Sequence, residues 1–225
     1  MMPNSVMYFA AGIGTRMQHL TANCPKPLVN VAGKPLIDHA MQLGQDAGVT
    51  NAVVNVHYLA EMVENHVPQG VRISDERSGL LDTGGGLKAA LPLLTGDTVF
   101  TMNTDAVWKG DNPFQALRAH WNPDEMDALL LVVPHERALG HSGKGDFDLA
   151  ETGSISRGIS HIYTGCQIIN TAHLTEIHQT VFSLNLYWDK IAEKGRFFGL
   201  EYSGTWCDVG TPASISLAED LLNDV

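Results

Sequence analysis

Phe9-Ala10-Ala11-Gly12-Ile13-Gly14-Thr15-Arg16-Met17, followed at a short distance by Pro25-Lys26-Pro27, is the stretch whose reading decides the fold. An apolar strand, Val6 to Ala11, runs straight into a turn whose two glycines leave no side chain between backbone and ligand. Consecutive N–H groups in such a turn face one concavity and bind phosphate, as helix N-termini do. Arg16 adds a forked cation suited to polyphosphate oxygens, and Lys26 adds a point charge. Together these parts suit a nucleoside triphosphate. Met17 stands where a dinucleotide fingerprint needs its third glycine, and no Gly-Lys-Ser/Thr follows Gly12 at P-loop spacing. Both better-known glycine loops are therefore excluded.

Outward from this loop the chain alternates strand and helix. Pro35 opens a helix to about Ala47, ended by Gly48, and Ala52 to Val56 is a short β-branched strand. A helix over Tyr58–Val67 stops at Pro68, and Val71–Ser74 is the third strand. Such alternation implies parallel strands joined by right-handed crossovers. Val56-His57-Tyr58 carries no acidic residue at the end of the second strand, which further argues against a nicotinamide-dependent oxidoreductase.

Leu81-Asp82-Thr83-Gly84-Gly85-Gly86 enters a helix near Leu87. A flexible surface turn is one reading of it. The other is close backbone approach to a flat ligand, with Thr83 and the N–H groups of Gly84 and its neighbours reading a base edge. Its place after a strand end, where open α/β sheets bind ligands, favours the second. Thr98–Met102 is a further apolar strand ending in Asn103-Thr104-Asp105. A carboxylate there points into the crevice and suits Mg²⁺, which uses one or two carboxylates plus substrate phosphates; capping the next turn is the alternative. Asp75 and Glu76 bear on base choice, because a carboxylate can accept from a guanine amino group that uracil lacks.

Pro113–His120 reads as a helix and Asp127–Val133 as a central strand, after which Pro134–Gly145 loses all periodicity. Asp146–Ala150 and Ser154–Gly158 suggest a hairpin, and Ile159–Asn170 a strand whose Gly165 marks a bulge or a close approach, the sugar being one candidate for what approaches. Ser183–Lys194 is a helix with an N-cap serine, and Arg196–Tyr202 a strand. Then comes Trp206-Cys207-Asp208-Val209-Gly210-Thr211-Pro212, which turns the chain into a last helix through Leu222.

The chain has 225 residues, 44% hydrophobic and 17% charged, which describes a globular α/β protein able to bury a core. A formal charge of −11 argues against a nucleic-acid partner. An anionic protein that binds nucleotides must gather its few cations at the site and recruit a metal. Cys24, Cys166 and Cys207 are too few and too widely spaced for a disulfide framework or a zinc site. No apolar run reaches membrane-spanning length and no basic leader precedes the first strand, so a cytoplasmic protein is expected.

The ordered set A-A-G-x-G-T-R…P-K-P resembles the sugar-1-phosphate nucleotidylyltransferase family, and the similarity runs from Val6 to Glu219. The resemblance implies a Rossmann-like mixed, mostly parallel sheet with helices on both faces, of the nucleotide-diphospho-sugar transferase type. It implies one domain, with residues 1–133 as the nucleotide-binding half and 134–225 as the sugar-phosphate-binding half. A left-handed β-helix domain with acyltransferase activity is not expected. Catalytic roles fall on Arg16 and Lys26, nucleotide binding on Ala10, Ala11, Gly12, Gly14, Thr15, Thr83 and Gly84, and sugar binding on Gly145, Asp146 and Gly165. Asp105 and Asp208 match the family's Mg²⁺ ligands. The partners are an NTP and a sugar 1-phosphate; no oligomer is specified.

Within the family, the acidic-Thr-Gly-Gly-Gly run and Gly145-Asp146-Phe147 look most like the branch that transfers UMP to N-acetylmuramate 1-phosphate in cell-wall recycling. Heptose- or mannose-1-phosphate guanylyltransferases are the alternative, and a non-catalytic sugar-nucleotide-binding regulator is a third reading. Retention of Arg16, Lys26, Asp105 and Asp208 argues for an enzyme. Three features depart from the family: His19 for a usual proline, Thr164-Gly165-Cys166 for Ser/Thr-Gly-Ile, and no E-K-P lysine for the sugar phosphate, where Lys144 or Arg157 could substitute.

Overall fold

The computed structural model describes residues 2–223. Strand β1 (Ser5–Phe9) leads through single-turn 3-10 segments to a minute hairpin, β2 (Asn30–Val31) and β3 (Lys34–Pro35), and then to α1 (Leu36–Asp46). Next come β4 (Asn51–Val56), α2 (Ala60–His66), β5 (Arg72–Asp75), α3 (Asp82–Ala90), β6 (Thr98–Asn103), β7 (Ala106–Lys109) and α4 (Pro113–His120). The remainder is β8 (Ala128–Pro134), β9 (Ala138–Leu139), β10 (Phe147–Leu149), β11 (Ile155–Arg157), β12 (His161–Asn170), α5 (Leu184–Glu193), β13 (Phe197–Glu201), β14 (Thr205–Asp208) and α6 (Ala213–Asn223).

Across the large sheet the order is β5–β4–β1–β6–β12–β8–β13, with the β10–β11 hairpin paired onto the beginning of β12. β1 runs parallel to β4 and β6, and β13 parallel to β8. Only β12 opposes its two neighbours along that path. The mixed, mostly parallel sheet is thus the one expected. Period-two alternation sends Val6, Tyr8, Phe100, Leu129 and Leu131 to one face, and Met7, Val99, Leu130 and Val132 to the other. Both faces are covered by helices, which is why these strands read as unbroken apolar runs.

The bulge expected in β12 is present: its register against β8 shifts between Tyr163 and Gln167, and Gly165 takes φ +82°. α5 starts where Ser183 Oγ accepts the Asn185 N–H, an ordinary serine N-cap. Two expectations need correction. The glycine triplet lies inside α3, whose first residue is Asp82, and does not form a separate entrance turn. It serves close packing: a Cβ on Gly84 would strike the Phe182 ring, one on Gly85 the Thr180 carbonyl, and one on Gly86 Oε1 of Glu76. The aperiodic stretch after Pro134 also contains a strand. β9 joins β7 and β14 in a second sheet ordered β7–β14–β9.

Candidate active site

That second sheet carries Asp208 to the first loop. In the β7–β14 register Asp208 pairs with Ala106, the neighbour of Asp105, and the Val209 N–H donates to the Asp105 carbonyl at 2.8 Å. The Pro25-Lys26-Pro27 turn aims Lys26 at the same point. Its two prolines fix φ on either side, and the Leu28 and Val29 N–H groups close a 3-10 turn onto Pro25 and Lys26. Lys26 is 8% exposed and its Nζ lies 2.6 Å from Asp105 Oδ2. Arg16 arrives from the other side. A Cβ on Gly210 would sit 3.0 Å from Asp208 Oδ2 and 3.2 Å from Arg16 Nη1, so the bare glycine lets guanidinium and carboxylate close over it.

Four charged residues from four distant segments therefore meet. Burial holds the Asp208 carboxyl above the ordinary range and the charge of Asp105 pushes it further up, while Lys26, Arg16 and His141 oppose the shift. Two crowded carboxylates of this kind are a hard-oxygen donor set that a divalent cation would relieve, with substrate phosphate completing its shell. The residues thus fit Mg²⁺. Among the described residues no group of three or more His, Cys, Asp or Glu is arranged for a metal, so any ion here would lean on its ligands' phosphates.

Three cavities open along the carboxyl ends of the strands. The cradle is lined by Gly12, Gly14, Thr15, Arg16, Lys26, Asp105 and Gly210. It shares Gly12, Lys26 and Asp105 with a central cleft walled by Ala10, Ala11, Asn55, Glu76, Leu80 and Thr83. That cleft shares Phe9, Asp82, Thr83 and Asn103 with a second cavity, at whose far end stand Asp146, Arg157, Tyr163, Asn185 and Trp188. Gly14 takes φ +71°, against the Lys26 side chain, and its carbonyl accepts from the Met17 N–H and from Thr21 Oγ1 at 2.9 Å each.

Ala11, Gly12, Gly14, Thr15 and Thr83 line the connected cavities. Several of the expected site residues are also engaged inside the fold. The Ala10 N–H is spent on Asn55 Oδ1 at 2.7 Å. Gly84 is not a base reader: its N–H and that of Gly85 both donate to the Phe182 carbonyl, at 2.9 and 3.0 Å. Thr83 Oγ1 accepts the Leu184 N–H at 3.0 Å, tying α3 to α5. Asp146 lines the second cavity, with Oδ2 accepting from the Tyr163 N–H at 2.9 Å. Gly145 faces the Ile159 backbone, and Gly165 abuts the Asn103 side chain, so the space at both glycines is filled by the protein itself. Asp75 turns outward to Arg77.

Sequence reasoning missed Asn55 and Asn103 and left Glu76 without a structural role. Glu76 is 1% exposed; Oε1 accepts from Asn55 Nδ2 at 2.7 Å and Oε2 from the Leu81 N–H at 3.0 Å. A polar residue inside the buried run of a strand, as Asn55 is between Val54 and Val56 of β4, was the available signal.

A family model described as a MobA-like NTP transferase domain matches residues 6–193. The chain belongs to this family. It is 38% identical to an N-acetylmuramate alpha-1-phosphate uridylyltransferase of Caulobacter vibrioides, over 96% of each chain. A protein of the same description from Neisseria meningitidis serogroup B is 33% identical, again over 96% of each. Among solved structures, a UDP-glucose pyrophosphorylase from Acinetobacter baumanii superposes with a TM-score of 0.80 at 15% identity, covering 97% of this chain and 92% of the other. An inositol-1-phosphate CTP transferase from T. maritima gives 0.78 at 18% identity, over 100% and 98%. These two show that this NTP transferase shares their fold. No helix among its described residues is long and apolar enough to cross a membrane.

Proposed function

We propose that the protein transfers a uridylyl group from UTP to N-acetylmuramate 1-phosphate, giving the UDP-sugar and pyrophosphate, as part of cell-wall recycling. The observation that carries the reading is the meeting of Arg16, Lys26, Asp105 and Asp208 at the mouth of a glycine-lined cradle. The two uridylyltransferase relatives supply the substrate class.

An oxygen of the acceptor phosphate attacks the α-phosphorus, the bond from that phosphorus to the α–β bridging oxygen breaks, and pyrophosphate leaves with the electron pair. Such transfer depends on positioning and charge stabilisation, with no covalent enzyme intermediate required. The cradle N–H groups between Ala11 and Thr15 hold the β- and γ-phosphates, and Arg16 stabilises the departing pyrophosphate. Lys26 swings from Asp105 to the α-phosphate as negative charge builds there. Asp105 and Asp208 would hold Mg²⁺, which when bound supplies Lewis-acid neutralisation of the reacting phosphates. The base lies toward Leu80 and Glu76, and the acceptor sugar in the second cavity, where Asp146 accepts a hydroxyl.

Both Glu76 oxygens already accept hydrogen bonds inside the fold, which favours uracil over a guanine that would seek a free carboxylate. The test is pyrophosphate release with Mg²⁺, crossing UTP, GTP, CTP and dTTP against N-acetylmuramate, N-acetylglucosamine, mannose and heptose 1-phosphates. Release with UTP and N-acetylmuramate 1-phosphate is the expected result. Release with GTP and mannose or heptose 1-phosphate would replace the substrates, and nucleotide binding without release from any pair would point to a regulator.

A further inference from the structure

The second cavity holds a cation that stands apart from the cradle. Arg157, at the end of β11, lines this cavity and not the cradle. Its guanidinium carbon lies 5.1 Å from the Phe147 ring centroid and 5.8 Å from that of Trp188, so two aromatic faces hold the guanidinium. Trp188 is itself fixed, its Nε1–H donating to Gln167 Oε1 at 2.9 Å. Nη1 donates to Asn185 Oδ1 at 2.8 Å, and Nη2 to Asp189 Oδ1 at 2.9 Å and to the Asn185 carbonyl at 3.4 Å. These contacts take three of the five N–H donors of a guanidinium. The ion pair with Asp189 is exposed on both sides and is worth little against a better-placed anion.

Among the described residues, Arg157 is the only Lys or Arg in the lining of this cavity, whose carboxylates are Asp82 and Asp146 and whose one phenol is Tyr163. Asp82 Oδ1 already accepts the Thr83 N–H at 2.6 Å, and Asp146 Oδ2 the Tyr163 N–H. A neutral sugar needs hydroxyl acceptors such as these two carboxylates. It does not need a stacked guanidinium with donors to spare. That group matches a planar anion, and a carboxylate above all.

We infer that Arg157 is a specificity-determining residue that binds a carboxylate carried by the acceptor sugar, at the end of the cleft away from its phosphate. The inference rests on the proposed nucleotidyl transfer and deepens it: the acceptor class is a sugar 1-phosphate bearing an acidic substituent. N-acetylmuramate 1-phosphate, which carries a lactyl carboxylate that N-acetylglucosamine 1-phosphate lacks, belongs to that class. On this inference Arg157 serves the carboxylate and not the sugar phosphate that the missing E-K-P lysine would hold.

The experiment compares kcat/KM for N-acetylmuramate 1-phosphate with that for the same compound whose lactyl group is a neutral carboxamide. Wild-type protein should prefer the carboxylate about 10–100-fold, the range expected of charge-assisted pairing. Arg157→Gln should collapse that ratio to near one, and Arg157→Lys should restore part of it. Asp189→Asn, which removes the competing carboxylate and leaves the stacked guanidinium in place, should raise the ratio and serves as the arm that does not disturb the aromatic shelf. A ratio retained in Arg157→Gln, or lowered in Asp189→Asn, would overturn the assignment and leave Arg157 as a clamp between hairpin and helix. Transfer by the wild type with no carboxylate preference would also overturn it while leaving nucleotidyl transfer intact. No transfer to either acceptor with any nucleotide would instead remove the functional reading beneath it.

Discussion

Lys26 Nζ stands 2.6 Å from Asp105 Oδ2, so the lysine of the Pro-Lys-Pro turn neutralises the first site carboxylate before any ligand arrives. Lysine and a divalent cation then compete for the same oxygens. Lys26→Met should tighten Mn²⁺ binding to the nucleotide-free protein roughly fivefold, the worth of a partly exposed ion pair. The same variant should lose about 10²–10³ in turnover, because the developing charge on the α-phosphate has lost its partner. Calorimetric Mn²⁺ titration and pyrophosphate release check the two arms; weaker metal binding in the variant would contradict the competition.

Asn55 connects the first loop to the proposed base side of the cleft, accepting from the Ala10 N–H on one hand and donating to Glu76 on the other. Asn55→Ala leaves the buried Ala10 N–H unpaired, a cost of about 1–3 kcal/mol. In a chain of this size each kcal/mol lowers the melting temperature by about 2–4 °C. The KM for the nucleotide should rise several-fold while that for the acceptor changes little. Equal changes in both constants would argue against a role on the base side.

Asp148 accepts hydrogen bonds from Ser160 Oγ at 2.7 Å, from the Ser160 N–H at 3.0 Å and from the Ile159 N–H at 3.1 Å. The Ser160 hydroxyl first, and then the two backbone donors, hold its carboxyl below the ordinary carboxylate range. A depressed acid contributes stability above its unfolded pKa and loses it as pH falls through the folded one. Asp148→Asn should therefore melt below the wild type at neutral pH, and the gap should close as the solution is acidified past the carboxylate range. Thermal melts across pH 2–7 measure this, and a gap that widens in acid would refute it.

The strand–helix alternation, the bulge at Gly165 and the N-cap at Ser183 were legible because each is written in local chemistry: apolar period, a residue tolerant of positive φ, a capping hydroxyl. The second sheet was not. β7 and β9 are too short to carry a period, and β9 sits in a stretch otherwise rich in charge and glycine. Yet this sheet is what sets Asp208 beside Asp105. The charged residues of the candidate site could be named from motifs, whereas their convergence rests on long-range pairing that no window of sequence contains. Gly84 was misassigned for a related reason: glycine beside a cleft can mean room for a ligand or room for Phe182, and only the packed chain distinguishes them.

Gly165 combines φ +82° with a would-be Cβ 2.7 Å from Asn103 Cγ. Gly165→Ala should destabilise the fold by about 1–3 kcal/mol from backbone strain, and displace Asn103 besides. Because Asn103 borders both the central cleft and the second cavity, the KM for both substrates should rise. Normal kinetics in a folded Gly165→Ala protein would show that Asn103 does not transmit the change.

β6 ends at Asn103 and the chain runs on through Thr104 to Asp105, three consecutive residues that border every chamber of the cleft: Asn103 the central and second cavities, Asp105 the central cavity and the cradle. Donor and acceptor would thus be measured against one short peptide anchored in the middle of the sheet, with Thr104 Oγ1 pinned to the Phe9 carbonyl at 2.7 Å. Such an arrangement places a fixed ruler between two adjustable walls. Evolution could redraw the hairpin and α5 to admit a new sugar, or the β4–β5 side to admit a new base, while the alignment of the reacting phosphates stayed as it was.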